Sequence, residues 1–197
     1  MLLLFCFFRM DLLLLNVIFL LSTLFLALFF RDPERNARYA SEEIISPADG
    51  KIINIKNVFE PEHLNSKAVQ VCIFMSVFNV HVNRSPLSGR IEFIKYYPGK
   101  FFSAFKEKAS ISNEQTHLGI SGRDGKVFLK LIAGLIARRV VVWKNNGQDV
   151  KAGEKLGMIR FGSRVEVFLP EDYSVLVKRG AKVKAGLTVL AKKIKTV

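Results

Sequence analysis

Gly147-Gln-Asp-Val-Lys-Ala-Gly-Glu-Lys-Leu156 recurs 33 residues later as Gly180-Ala-Lys-Val-Lys-Ala-Gly-Leu-Thr-Val189, with Gly, Val, Lys, Ala and Gly keeping their places. Each copy pairs a turn glycine with a short apolar segment and a second glycine, a pattern that predicts a β-hairpin. The surroundings agree. Stretches 69–75, 127–136, 140–143 and 165–168 are rich in β-branched and aromatic residues, and Gly or Asn-Gly turns divide them. The best helical pattern in this part of the chain is Phe101-Phe-Ser-Ala-Phe-Lys-Glu-Lys108.

Hairpins of this kind resemble those of biotinyl- and lipoyl-carrier domains. The resemblance implies a mainly β fold, a flattened barrel-sandwich hybrid with few helices, and places Ser163 near the hairpin between the two copies. The repeat speaks only to fold, since such hairpins need Gly and Val whatever the protein does.

Half of the 197 residues are hydrophobic, enough for one core and an anchor. The anchor is the uncharged run from Leu12 to Phe30, roughly 28 Å long as a helix and close to the thickness of a bilayer core. We therefore divide the chain into an N-terminal membrane anchor, 1–30, and a domain, 31–197. Residues 1–8 are apolar too, but Arg9 and Asp11 follow, and a segment so short fits the membrane interface. A cleaved signal peptide is the competing reading, disfavoured by the long apolar core, the lack of leading positive charge and the missing Ala-x-Ala site. Arg31, Arg35 and Arg38 beyond the run favour a domain on the cytoplasmic side of the cell membrane.

The net charge of +13 lies in the domain, because residues 1–30 hold one Arg and one Asp. Such a surface is drawn to anionic lipid headgroups. Nucleic acid is the rival partner, but no helix-turn-helix, zinc spacing or aromatic RNA-binding signature is present. Cys6 and Cys72 sit in apolar stretches and the three histidines have no ligand spacing, so neither a metal nor a disulfide is expected.

The dipeptide with chemical potential is Gly162-Ser163 in Gly157-Met-Ile-Arg-Phe-Gly-Ser-Arg164. A serine hydroxyl can attack the carbonyl of the residue before it through a five-membered ring, and a residue without Cβ tolerates the strained backbone this requires. The hydroxyl needs a base, commonly an imidazole with a carboxylate partner. Most Gly-Ser pairs are turns, Pro-Ala-Asp-Gly is an ordinary turn sequence, and a strand histidine is usually structural.

Context narrows the choice. Phe30-Arg-Asp-Pro-Glu-Arg35, Ile45-Ser-Pro-Ala-Asp-Gly-Lys51, Phe74-Met-Ser-Val-Phe-Asn-Val-His-Val-Asn-Arg-Ser-Pro86, Tyr96-Tyr-Pro-Gly-Lys-Phe101 with Asn113-Glu114, Ile132-Ala-Gly-Leu-Ile-Ala-Arg-Arg139 and the stretch 150–170 follow one another in order. Together they resemble the short, membrane-associated phosphatidylserine decarboxylases, from about Phe30 to the C-terminus. The resemblance implies self-cleavage between Gly162 and Ser163 into a β chain, 1–162, and an α chain, 163–197. It makes Ser163 the source of a covalent pyruvoyl cofactor, His81 the base for cleavage, and Asp49 the partner that fixes the tautomer of His81 and steadies its charged form.

The implied reaction converts phosphatidylserine to phosphatidylethanolamine. The ketone takes up the substrate amine and accepts the electrons left as carbon dioxide departs, the part pyridoxal phosphate plays elsewhere, and His81 is the candidate acid for the last protonation. An archaeal ether-lipid serine has the same reacting headgroup and stays an alternative substrate. The implied partners are phosphatidylserine in an anionic membrane, the two chains of one precursor, and a homo-oligomer.

Departures from the family pattern matter as well. Phe78 stands where longer relatives carry a second His, and Leu131 where short relatives often have Gln. His63 and His117 fall in polar, loop-like sequence and match no motif. Arg84, Arg138, Arg139 and Arg164 are unranked candidates for the lipid phosphate. Two other classes compete: a membrane-anchored lipoyl-like adaptor, which would need a long helical hairpin, and a Ser-His-Asp hydrolase, which would need Gly-x-Ser-x-Gly.

Overall fold

The computed structural model describes residues 2–35, 39–105, 109–123, 125–135, 139–160 and 162–194, with side chains from Leu12 onward. It opens with α1 (Leu2–Phe29), a continuous helix that Arg9 and Asp11 do not interrupt. The stretch expected at the membrane interface is thus the first part of the same helix.

The rest is mainly β. The strands are β1 (Glu43–Ile45), β2 (Gly50–Glu60), β3 (Ser66–Met75), β4 (Val82–Arg84), β5 (Gly89–Tyr97), β6 (Gln115–Ser121) and β7 (Lys126–Ala133). They continue with β8 (Val140–Val142), β9 (Asp149–Val150), β10 (Lys155–Ile159), β11 (Ser163–Pro170), β12 (Tyr173–Val175), β13 (Lys182–Val183) and β14 (Val189–Lys193). An eight-stranded sheet has the order β13-β2-β3-β11-β7-β6-β5-β9, and two three-stranded sheets have the orders β1-β14-β12 and β4-β10-β8. Every strand pairing is antiparallel. The inner faces meet in one apolar core that includes Ile52, Val71, Ile73, Leu129, Leu131, Val165 and Leu190.

The repeat in the sequence is a repeat in space. Gly147, Gly153, Gly180 and Gly186 all have positive φ, at 77°, 81°, 91° and 66°. Gly153 donates its N–H to the Ser85 carbonyl, and Gly186 donates to Ser46 in the same way, both at 2.8 Å. The receiving loops are a second, weaker repeat, Ser46-Pro-Ala-Asp-Gly-Lys51 and Ser85-Pro-Leu-Ser-Gly-Arg90. In each the serine hydroxyl donates to the carbonyl two residues on at 2.7 Å. The sheet order follows this exchange of halves, with β2, β3 and β13 answering β5, β6 and β9 on either side of the central pair β11–β7.

Several local expectations are corrected. Neither copy of the repeat is itself a hairpin, because β9 pairs with β5 and β13 with β2, while β10 and β14 lie in the smaller sheets. No hairpin joins β10 to β11, so Ser163 does not sit near one; β10 pairs with β4 and β8, whereas β11 pairs with β3 and β7. The chain therefore passes from one sheet to another between Ile159 and Ser163. The stretch 101–108 is not helical over its described part, 101–105, and the short α2 (Ala109–Ser112) follows it. The cause is buried Asn113, whose Oδ1 accepts the Phe102 N–H and whose Nδ2 donates to the Phe102 carbonyl, each at 2.8 Å. That bracket holds the backbone extended. Likewise, the strand expected over 127–136 ends at Ala133.

The outer face of the central pair holds a buried ion pair. Arg164 Nε lies 2.8 Å from Glu166 Oε1, with side chains 2% and 1% exposed. Gln70 and Ser110 each donate to the carboxylate at 2.6 Å, and Arg164 Nη2 donates to Cys72 Sγ at 3.2 Å. Burial, followed by the Glu166 charge, pushes the Cys72 thiol up to about 11, so it stays protonated and unreactive. Glu166→Ala leaves a guanidinium buried without its carboxylate, and urea unfolding is expected to show a loss of about 3–5 kcal/mol.

Candidate functional site

Ser163 is the first residue of β11, held in register between Met75 of β3 and Ala133 of β7. Its side chain is fully buried and donates to Met75 Sδ at 3.2 Å. Gly162 before it has φ of +71°, a left-handed conformation that a side chain would strain. Its carbonyl is crowded from behind: a Cβ added to Gly134 would lie 2.2 Å from the Gly162 oxygen. Gly134, in the Ile132-Ala-Gly block, is thus glycine because main chain meets main chain there.

His81 lies between the turn after β3 and the start of β4, and it is fully buried. Its Nδ1 is 2.9 Å from the Asn79 carbonyl, which can only accept, so the neutral ring carries its proton on Nδ1. Nε2 is therefore the bare acceptor, and the Gly162 N–H donates to it at 3.2 Å. Burial lowers the imidazole pKa to about 4, against an opposing hydrogen bond to Asn79 and a field from Asp49, with Arg31 lowering it further. The ring is a neutral base at physiological pH.

Asp49 occupies the turn before β2, with its oxygens engaged elsewhere. Arg35 forks onto both of them, at 2.5 and 2.9 Å, and the Ala185 N–H donates to Oδ1 at 2.7 Å. No hydrogen bond joins Asp49 to His81 among the described residues; the tautomer-fixing part assigned to Asp49 falls to the Asn79 carbonyl. What Asp49 contributes to the ring is charge at a distance. In the symmetry-related loop the matching position is Ser88, whose Oγ accepts the Ala152 N–H at 2.9 Å just as Asp49 accepts that of Ala185. One half of the fold caps this amide with a neutral hydroxyl and the other with a carboxylate.

The structure thus gathers Gly162, Ser163 and His81, with Asp49 near enough to act through its field. The other flagged residues go elsewhere. Leu131 is fully buried in the apolar core. His117 is not in a loop but buried on β6, bonded to Glu62 at 2.9 Å and Gln115 at 3.1 Å; His63 faces Glu92 at 3.5 Å. Arg84 and Arg164 are spent internally, the first on Asp32 and the Gly153 and Pro33 carbonyls. Arg139 is exposed, and Arg138 lies outside the described residues. Met75 and Asn79 touch Ser163 and His81, yet nothing in their residue type announced it; Gly134 stood inside a flagged block without a part.

Beside Gly162 opens an apolar cleft of ≈ 330 Å³, lined by Phe74, Ser76, Val77, Ser103, Ala104 and Leu135. Its lip is apolar and exposed. Leu135 is itself a lining residue, and Phe105 follows Ala104 while its ring packs edge-on against Phe74.

Fold and site together define a mainly β protein built around a buried Gly-Ser peptide, with an apolar helix at its N-terminal end. The sequence profile of a family described as phosphatidylserine decarboxylase matches residues 22–191. The chain belongs to that family. Among its relatives is a phosphatidylserine decarboxylase proenzyme of Syntrophus aciditrophicus, 51% identical over 168 residues, covering 85% of this chain and 79% of the relative. Proenzymes of the same name from Oleidesulfovibrio alaskensis and Nitrobacter winogradskyi are 49% and 51% identical, covering 90% and 87% of this chain and 81% and 71% of theirs.

The buried imidazole has a measurable consequence. Because the folded pKa is depressed below the ordinary 6.5, the unfolded chain binds the extra proton first, and stability falls as pH drops from about 6.5 toward 4, by up to about 1.4 kcal/mol per pH unit. His81→Gln cannot take that proton. Urea midpoints measured across this range should fall less steeply for His81→Gln than for the wild-type chain, with the depressed His63 and His117 supplying the slope that remains.

Proposed function

We propose that this chain is the precursor of a phosphatidylserine decarboxylase that cleaves itself between Gly162 and Ser163. The observation that carries the reading is a buried serine, behind a glycine in the left-handed region, with a neutral imidazole nitrogen on that glycine's own amide. Relatives named as proenzymes support it.

The steps follow from the residues. The Ser163 hydroxyl leaves Met75, gives its proton to His81 Nε2, and its oxygen attacks the Gly162 carbonyl carbon; as the new C–O bond forms the peptide C–N bond breaks, and the freed Ser163 amine takes that proton back from His81. Asp49 steadies the positive imidazolium through space. Loss of the Ser163 α-proton then breaks the Cβ–O bond, and Gly162 departs as a carboxylate. The dehydroalanine left behind takes up water and releases ammonia, so that residues 1–162 become the β chain and residues 163–197 an α chain starting with a pyruvoyl group.

That group fits the site, because residue 163 keeps its place at the head of a central strand, beside the cleft at Gly162 and away from bulk water. When formed it supplies an electron sink for decarboxylation of a bound amine. His81 is positioned to return a proton to the product. Phe78 has no such part, since its ring is exposed and its carbonyl is tied to Arg31. The apolar lip of Phe105 and Leu135 suits acyl chains arriving from a bilayer, and α1 supplies an anchor for the cell membrane, with residues 31–197 on the cytoplasmic side.

Intact mass spectrometry of the purified chain should give a fragment ending at Gly162 and a second beginning with a blocked residue 163, while Ser163→Ala stays whole. A wild-type chain that remains one uncut species yet turns phosphatidylserine vesicles into phosphatidylethanolamine would end the proposal. Asp49→Ser keeps the amide cap, since the hydroxyl can take the Ala185 N–H as Ser88 takes that of Ala152, but it removes the charge and leaves the Arg35 guanidinium without its carboxylate, so cleavage should slow by about tenfold or more and the melting temperature should fall. Gel time courses beside a circular dichroism melt check both halves.

A further inference from the structure

From Leu12 on, a single residue of α1 is buried, and it is the last. Phe29 is 1% exposed, while Leu12 to Leu28 stand open to the surroundings. Its ring lies on His81, with centroids 4.3 Å apart and planes inclined by 36°, and is buttressed by Phe30 edge-on at 5.1 Å and Phe25 at 6.2 Å. The chain after the helix keeps hold of the same region. Arg31 Nη1 caps the Leu28 carbonyl at 2.6 Å while Nη2 reaches the Phe78 carbonyl at 2.7 Å, three residues before His81. Asp32 and the Pro33 carbonyl take Arg84 Nη2 at 3.0 and 3.1 Å, three residues after it. Arg35 then holds Asp49.

We infer that the end of the membrane helix is a working part of the processing site: Phe29 is a positioning residue that covers the imidazole of His81 and keeps Nε2 aimed at the Gly162 peptide. This rests on the proposed role of His81 as the base for cleavage. The physical argument is one of degrees of freedom. Within its own turn the ring is held by one hydrogen bond, from Nδ1 to Asn79, and about that bond it can still swing. A flat apolar surface against its face removes the swing and excludes water from Nε2. The charged groups that act on the ring are the Arg31 guanidinium and the Asp49 carboxylate, of opposite effect, and burial outweighs both. An anchor used only as a tether has no reason to bury its last aromatic ring against this histidine.

The test uses the full chain in lipid vesicles. Phe29→Ala is expected to slow cleavage at Gly162 by about 10- to 100-fold, and Phe29→Leu, which restores most of the apolar cover, to stay within about threefold of wild type. Phe19→Ala, higher on the helix at an exposed position, should cleave at the wild-type rate. Ring NMR of His81 in uncut Ser163→Ala chains supplies a readout that mere loss of stability does not move: uncovering the ring with Phe29→Ala should raise its titration midpoint from near 4 toward 6.5. The variant should therefore lose further cleavage rate between pH 7 and 5, where the wild-type imidazole remains unprotonated. Unchanged cleavage and an unchanged titration in Phe29→Ala would overturn the inference alone, as would slow cleavage that follows loss of fold with the titration unmoved. If His81→Ala cleaves like wild type, the base assignment and the inference fall together.

Discussion

The peptide between Gly162 and Ser163 is where the chain leaves one sheet and enters another, and both of its ends are constrained. Ser163 is locked into the middle of the eight-stranded sheet between β3 and β7. Gly162 must turn through the left-handed region to get there, with Gly134 pressed against its carbonyl and His81 on its amide. The crossing cannot relax without breaking the central pairing. Glycine bears that conformation without steric cost, and the pairing of β11 with β3 and β7 holds it in place.

Around that peptide the molecule repeats itself. The same serine-proline loop receives the same glycine N–H in both halves, and the same amide is capped, by Ser88 in one and by Asp49 in the other. The difference of one side chain places a negative charge within range of His81. A charge has been added to one copy of a structural device that the other copy uses only to close a loop. The carboxylate is held without touching the imidazole, because the Arg35 fork meets both of its oxygens.

Charge is sorted by depth. The large basic surplus is mostly at the surface, where an anionic bilayer can meet it. The arginines that go inside, Arg84 and Arg164, are satisfied by carboxylates, carbonyls and a thiol of this chain. A motif-based assignment of either to a lipid phosphate conflicts with where their donors point. The histidine at the site is the opposite case, buried with no carboxylate against it and therefore neutral.

What could be read from residues alone was local. Turn glycines repeat because left-handed backbone tolerates no side chain, so the paired turns of 147–156 and 180–189 and the β-rich class were visible, as was an apolar run able to cross a bilayer, although neither copy closes into a hairpin. Motif order singled out Asp49, His81, Gly162 and Ser163, and the last three meet in space. The misreadings were non-local. Residues 101–105 look helical until Asn113 brackets Phe102, and the hairpin expected at Ser163 dissolves because β10 and β11 belong to different sheets. No spacing rule ties Phe29 to His81 or a thioether to the serine hydroxyl. The sequence by itself determined which backbone conformations were cheap and which side chains could react; only the tertiary structure decided which of them touch, because burial and hydrogen-bond geometry depend on residues far apart along the chain.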